Sequence, residues 1–360
     1  MNKLKFLIVI ILLGFISQSK LIGCTAFCLN NADQIVLCKN LDWDFGYGHI
    51  EINKRGLFKK AFVANNETPV EWISKYGSIT FNHIGKEFPL GGMNEAGLVI
   101  EEMNYYWTKY PKVDNRPTLN ELQWIQYQLD NSSTVEEVIN SDSVVRITGN
   151  LFKIHYLICD KNGNVASIEF LNGKMVYHTK STLPVPVLTN HKYDKSVEEL
   201  KNYIGFGGER EIPQKYGSLN NFIKVSSMIQ NFNKDIPVLD YSFDILSSVS
   251  TYDTQWSIVY DISNSRIYFK TKKYNRLKWI DLKQFNFSCK AQALYLSVNT
   301  EQIDNLNGTF KTYNFKANKL LVDKIYKNYS VNNFLDDKFN EQYFSRIANY
   351  PLTVICKEEL

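Results

Sequence analysis

The first apolar run, Phe6 to Ile16, is unbroken and follows the basic stretch Asn2-Lys3-Leu4-Lys5; Ser17 to Gly23 is more polar. That order predicts a signal peptide over residues 1–23, because a membrane span needs roughly 20 apolar residues. Downstream the pattern changes to short strand-like runs. Thr25–Leu29, Ile35–Cys38, Ile50–Asn53, Ser78–Phe81 and Gly97–Glu101 are apolar or alternating, with turn residues between them. Lys153–Ile158 and Val165–Phe170 flank Asp160-Lys-Asn-Gly163 and predict a hairpin, since Asn-Gly supplies the positive φ a tight turn needs. A second hairpin is predicted between Gln255 and Lys270 about Ser263-Asn264, and Lys278–Ile280 reads as an edge strand.

Helical spacing begins at Leu119, Leu122, Ile125 and Leu129, where Thr118-Leu-Asn-Glu121 fits a capping box. A short helix is predicted over Thr134–Ile139, capped by Ser133 or Thr134, and another after Ser218 with Phe222, Val225 and Ile229 on one face. Strands at both ends with helices in the middle describe sheets covered by helices. Strict βαβ alternation and a Gly-rich phosphate loop are both missing, which excludes a dinucleotide-binding reading.

Composition changes this picture little. Lys3, Lys5 and Lys20 fall in the leader, so Lys+Arg drops from 41 to 38 against 37 Asp+Glu, and the mature net charge is +1. There is no Lys/Arg stripe, which argues against a nucleic-acid partner. The six cysteines are too sparse for a disulfide-stapled scaffold; Cys38 and Cys159 lie in apolar runs and read as buried free thiols. Cys24 and Cys28 lack a second Cys/His pair for zinc. Residues 24–360 are expected to form a single domain.

Cys24 has two competing chemistries. Leu21-Ile-Gly-Cys24 is a lipobox, which would place a lipid on the sulfur. Cleavage before Cys24 without lipidation instead leaves a thiol and an α-amine on adjacent carbons, with ordinary pKa values of about 8.5 and 8. One residue then supplies nucleophile and base, and needs a carboxylate, a favourable charge and an oxyanion hole around it. The next strand carries Lys39 and Asp42, which strand alternation places on opposite faces unless a bulge intervenes.

Cys24-Thr-Ala-Phe27, Lys39-Asn-Leu-Asp-Trp43, Met93-Asn-Glu-Ala-Gly-Leu98, Leu188-Thr-Asn190 and the hairpin of Thr254–Asp261 with Arg266–Lys270 together resemble the choloylglycine hydrolase family, from Cys24 to about Ser288. These are linear-amide hydrolases that include penicillin V acylases and bile salt hydrolases. The resemblance implies an α+β fold, a four-layer αββα sandwich of two antiparallel sheets covered by helices. It implies hydrolysis of a small N-acyl amide with no cofactor or metal, and a homo-oligomer, tetramers being common among related enzymes. By position it makes Cys24 the nucleophile, Asp42 the carboxylate holding amine and thiol, and Asn190 an oxyanion amide. Asn104, ten residues past Asn94, would supply a backbone N–H to the same oxygen.

Two positions depart from the family pattern. Lys39 stands where an arginine is usual, and Asn221 falls on a second arginine position, with Lys224 one turn on as the nearest cation. Aromatic residues Trp43, Phe45, Tyr105, Tyr106 and Trp107 flank these positions as candidate walls of an acyl pocket. The implied location is exported, periplasmic or secreted. The alternative is a membrane-anchored lipoprotein, catalytically inactive, that binds an amphipathic ligand; only in that case would a membrane be a partner.

Overall fold

The computed structural model describes residues 23–31, 33–64, 66–149, 151–331 and 339–357. The expected leader, up to Ile22, lies outside the described residues. Two large sheets form the centre. The first has seven strands in the order Val187–Thr189, Thr25–Asn31, Gln34–Asp42, Thr254–Asp261, Arg266–Thr271, Lys278–Asp281 and Asp304–Asn305. The second has nine, ordered Lys174–Thr179, Val165–Leu171, Ile154–Cys159, Val99–Asn104, Gly91–Asn94, Ser78–Asn82, His49–Asn53, Leu294–Ser297 and Lys311–Thr312. Every pairing in these two sheets is antiparallel except that of Lys278–Asp281 with Asp304–Asn305.

The sheets meet face to face where Thr25–Asn31 and Val187–Thr189 pack on Val99–Asn104 and Ile154–Cys159. These central strands are buried on both faces, so they read as continuous apolar runs rather than as an alternation. Helices Ser218–Gln230 and Val238–Ser248 cover the outer face of the first sheet, and Glu121–Asn131 covers the second. The result is the α+β, four-layer αββα arrangement expected from the sequence. Cys38 and Cys159 are buried free thiols, as their apolar surroundings predict.

Three local differences have physical causes. Thr118 does not cap a helix: Thr118–Asn120 is a short strand parallel to Arg146–Thr148, and Asn120 is the N-cap, accepting from the Leu122 and Gln123 amides. The capping box lies one helix later, where Thr134 and Glu137 bond reciprocally. The C-terminal end also holds two helices, Phe315–Val331 and Glu341–Asn349, packed on each other. A disulfide joins Cys289 to Cys356, bringing Ile355–Cys356 alongside Leu57–Lys60. Among the described residues no helix is long and apolar enough to cross a membrane.

Candidate active site

Register places the nucleophile candidate. Thr25 pairs with Thr189 on one side and with Asn40 on the other. Continuing each antiparallel ladder by one residue sets Cys24 beside Asn190 and Leu41, with Asp42 next. From the facing sheet, Asn104 pairs with Ile154 at the strand ends. Cys24, Asp42, Asn104 and Asn190 thereby line one cleft of about 270 Å³, together with Leu41, Trp43, Leu90, Phe152, Ile154 and Tyr329.

Cys24 is 4% exposed and its Sγ donates to the Asp42 carbonyl at 3.7 Å. Gly23 is still joined to it, so its nitrogen is a peptide nitrogen. Burial pushes the thiol up to about 12; Lys39 opposes this, while Glu102 and Asp42 add to it. Asp42 is fully buried. Its Oδ1 accepts from Thr254 Oγ1 at 2.5 Å, and its Oδ2 accepts no hydrogen bond among the described residues. Burial pushes its carboxyl up to about 7, against the Thr254 bond and Lys39, with Asp253 adding to the rise. The register of Gln34–Asp42 against Thr254–Asp261 shifts between Thr254 and Trp256. This bulge, with Gln255 as the extra residue, brings the Thr254 hydroxyl onto the Asp42 carboxylate.

Lys39 is buried but does not line the cleft. Its ammonium donates to the Glu102 carbonyl and lies 3.5 Å from Glu101 Oε2 and 3.7 Å from Glu102 Oε1. Burial alone would lower its pKa. The charges of Glu102, Cys24 and Glu101 outweigh that and hold it above the usual lysine value. Glu101 is itself pushed up to about 7 by burial, against Lys39 and a bond from the Tyr260 hydroxyl.

Asn221, on the helix Ser218–Gln230, is buried and donates to Thr25 Oγ1 at 3.3 Å; it stands behind the nucleophile's neighbour, outside the cleft lining. Lys224 points elsewhere, donating to the Ser248 carbonyl at 2.9 Å. Asn94 holds a turn: its side chain accepts from Ala96 and Leu98 and donates to the Leu129 and Ser132 carbonyls. Of the aromatic candidates, Trp43 lines the cleft, Tyr105 is buried against His155, and Tyr106 and Trp107 are exposed.

Sequence reasoning missed Glu102, His83, Thr254 and Tyr329. Glu102 was within reach, since it lies two residues before Asn104 on one strand and therefore on the same face. His83 packs against the Tyr47 ring and its Nδ1 lies 2.7 Å from the Tyr47 carbonyl; burial lowers its pKa to about 4, so the ring is neutral. Tyr329 comes from the C-terminal helix, for which the sequence offered no motif. Among the described residues no group of three or more His, Cys, Asp or Glu is arranged to hold a metal.

A buried thiol at the head of a central strand, sharing one cleft with Asn104 and Asn190, is a candidate nucleophile in an antiparallel αββα sandwich. The profile of the linear amide C–N hydrolases, choloylglycine hydrolase family, matches residues 24–222, so the chain belongs to that family of N-terminal-nucleophile hydrolases. A penicillin V acylase of Pectobacterium atrosepticum is 25% identical over 315 residues, covering 74% of this chain and 83% of the relative. The structure of a penicillin V acylase from Agrobacterium tumefaciens superposes with a TM-score of 0.70 at 24% identity, over 81% of this chain and 98% of that one. A conjugated bile acid hydrolase from Clostridium perfringens gives 0.63 at 20% identity, over 79% and 99%. These structural likenesses establish the shared fold.

Proposed function

We propose that the mature protein, residues 24–360 acting as one exported unit, hydrolyses the linear, non-peptide carboxamide of small N-acyl compounds. The observation that carries this reading is the convergence of Cys24, Asp42, Asn104 and Asn190, from four chain segments, on one largely apolar cleft. Cleavage before Cys24 turns its peptide nitrogen into a free α-amine close to Asp42, whose Oδ2 is buried and accepts no bond among the described residues. The thiol then loses its proton to the α-amine, and the thiolate attacks the amide carbon. Asn190 and the Asn104 N–H hold the oxyanion. The α-ammonium protonates the departing amine, and the freed α-amine activates water to open the thioester. Lys39 offsets the charges of Glu101 and Glu102 behind the thiol, and Asn221 fixes Thr25, which sets the direction of Cys24.

A lipid-anchored binder is the second reading, favoured by the lipobox. The burial of Cys24 inside the cleft and the start of a paired strand at Thr25, with no tether between, support the nucleophile instead. Intact mass of the protein isolated from its native host separates the two: an unmodified chain beginning at Cys24 is expected, and a diacylglyceryl adduct would sink the hydrolase reading. With the free chain, Cys24→Ser should keep the fold and lose at least about 100-fold in kcat, a change of roughly 2.7 kcal/mol in barrier. Undiminished turnover in that variant would show that the chemistry lies elsewhere. Phenoxyacetyl and steroid-acyl amides are the first acyl groups to assay, by analogy with the named relatives.

A further inference from the structure

Asn190 sits at the centre of a tight turn. The Thr189 carbonyl accepts from the His191 amide at 2.7 Å, a bond that spans two residues and closes the chain around Asn190. A carbonyl oxygen has two lone pairs. The other is met from the facing sheet, where His155 Nε2 lies 2.8 Å from the same oxygen. Because a carbonyl only accepts, Nε2 carries a proton and the imidazole donates. Its second nitrogen, Nδ1, lies 3.4 Å from Glu169 Oε1 on the neighbouring strand of its own sheet. That carboxylate oxygen also accepts the Tyr193 amide at 3.2 Å. His155 and Glu169 thus hold the chain on both sides of Asn190, at Thr189 before it and at Tyr193 after it.

The same ring touches the chain beside the other proposed oxyanion donor. Tyr105, which follows Asn104, stacks flat on the His155 imidazole, with centroids 5.0 Å apart and planes 16° apart. His155 and Glu169 are fully buried, and neither lines the cleft. Burying such a polar pair costs free energy that an apolar pair of the same size would not, unless its bonds offset the loss of water. Here the His155 bond to Thr189 crosses from one large sheet to the other directly behind the cleft. We infer that His155 is a positioning residue: through the Thr189 carbonyl and the Tyr105 ring it sets Asn190 and the Asn104 N–H at the spacing an oxyanion requires, with Glu169 orienting its ring. The inference rests on the hydrolase reading of the Cys24 cleft. Its effect falls on the transition state, since the two donors are aimed at charge that develops only there.

The test compares His155→Gln with His155→Asn in the mature chain. Both lose the ring and its stack on Tyr105. The glutamine amide reaches the place of Nε2 and keeps a donor for Thr189, whereas the asparagine amide reaches only the place of Nδ1. The expected kcat of the asparagine variant is at least about tenfold below that of the glutamine variant, with the two KM values within about threefold, the pattern of an interaction made only in the transition state. An aldehyde carrying the same acyl chain adds the Cys24 thiol across its C=O, sulfur to carbon and the thiol proton to oxygen, and sets a tetrahedral oxygen in the same place. Its affinity should fall by about the same factor. His155→Met, of similar length and without a donor, takes the place of the asparagine variant if that chain does not fold, with the same outcome expected. Equal kcat in the donor-keeping and donor-less variants, or a loss confined to KM, would overturn the inference. If the parent chain binds the aldehyde but hydrolyses no amide, weaker aldehyde binding in the donor-less variant keeps the positioning role and overturns the hydrolase reading alone. Unchanged aldehyde binding in that case, or a parent chain that takes up neither compound, overturns both.

Discussion

Asp42 is a carboxyl group held in an uncomfortable state while Gly23 remains attached. One oxygen has the Thr254 hydroxyl and the other accepts no hydrogen bond among the described residues, and burial lifts the group to about 7 from an ordinary value near 3.8. Its native pKa is above its unfolded one, so between the two values the native state holds more protons than the unfolded chain. The stability contribution is present at low pH and is lost as pH rises from about 4 through 7. The uncleaved chain should therefore lose stability between about pH 4 and 7, and Asp42→Asn should remove part of that slope, by a few kcal/mol at most. Urea unfolding at several pH values checks this; a variant with the parental slope would show that Asp42 is relaxed in the uncleaved chain. Glu101 adds in the same direction, which is why the comparison with Asp42→Asn, rather than the bare profile, is decisive. At this scale the order of the motifs anticipated that Cys24, Asp42, Asn104 and Asn190 would meet, and they share one cleft. Glu102 could be read only from its alternation with Asn104, because a strand buried on both faces gives no sign by itself of which face a cleft will open on.

Elements were legible where the signal was local and lost where a tertiary contact overrode it. The hairpin at Asn162-Gly163 formed as expected: Gly163 sits at φ +77°, and a Cβ there would come within 2.7 Å of the Asn30 side chain. The cap at Thr118 failed for a different reason. Its segment has a neighbouring strand, Arg146–Thr148, and its amide donates to the Thr68 carbonyl, so extended backbone wins and the helix starts after Asn120. Asn120 then works twice, capping the Leu122 and Gln123 amides and donating to the Phe62 carbonyl at 3.0 Å. Asn120→Ala is expected to cost about 1–2 kcal/mol in denaturant unfolding. Thr118→Ala, which removes no cap, should cost clearly less than Asn120→Ala. A larger loss at Thr118 would restore it as the helix start. The bulge at Gln255 is the other feature out of reach of pattern reading. Alternation alone describes Lys39 and Asp42 as opposite-facing, and only the partner strand's extra residue explains how the Asp42 carboxylate acquires its Thr254 bond.

For the whole molecule, the C-terminal third completes a cleft whose chemistry lies in the N-terminal part. The family profile ends at residue 222, yet Tyr329 forms part of the wall, packed edge-on against Trp43 and Phe152. The helix that carries it is held at one end by Leu294–Ser297 and Lys311–Thr312 on the second sheet. At the other end the Cys289–Cys356 disulfide, spanning 67 residues, and the pairing of Ile355–Cys356 with Leu57–Lys60 fix the chain. A bridge closing a loop of that length stabilises by about 2–4 kcal/mol, chiefly by restricting the unfolded chain. Replacing both cysteines by serine should lower unfolding free energy by that amount. The loosening should fall first on the segment between the two cysteines, since the rest of the sandwich keeps its own core. Limited proteolysis is then expected to cut between residues 290 and 355 before it cuts either large sheet's central strands. Because Tyr329 lines the wall of the proposed substrate cleft, KM should rise by more than kcat falls. Cleavage that begins in the central strands, or a fall in kcat at constant KM, would mean that the bridge supports the nucleophile strand rather than the wall facing it.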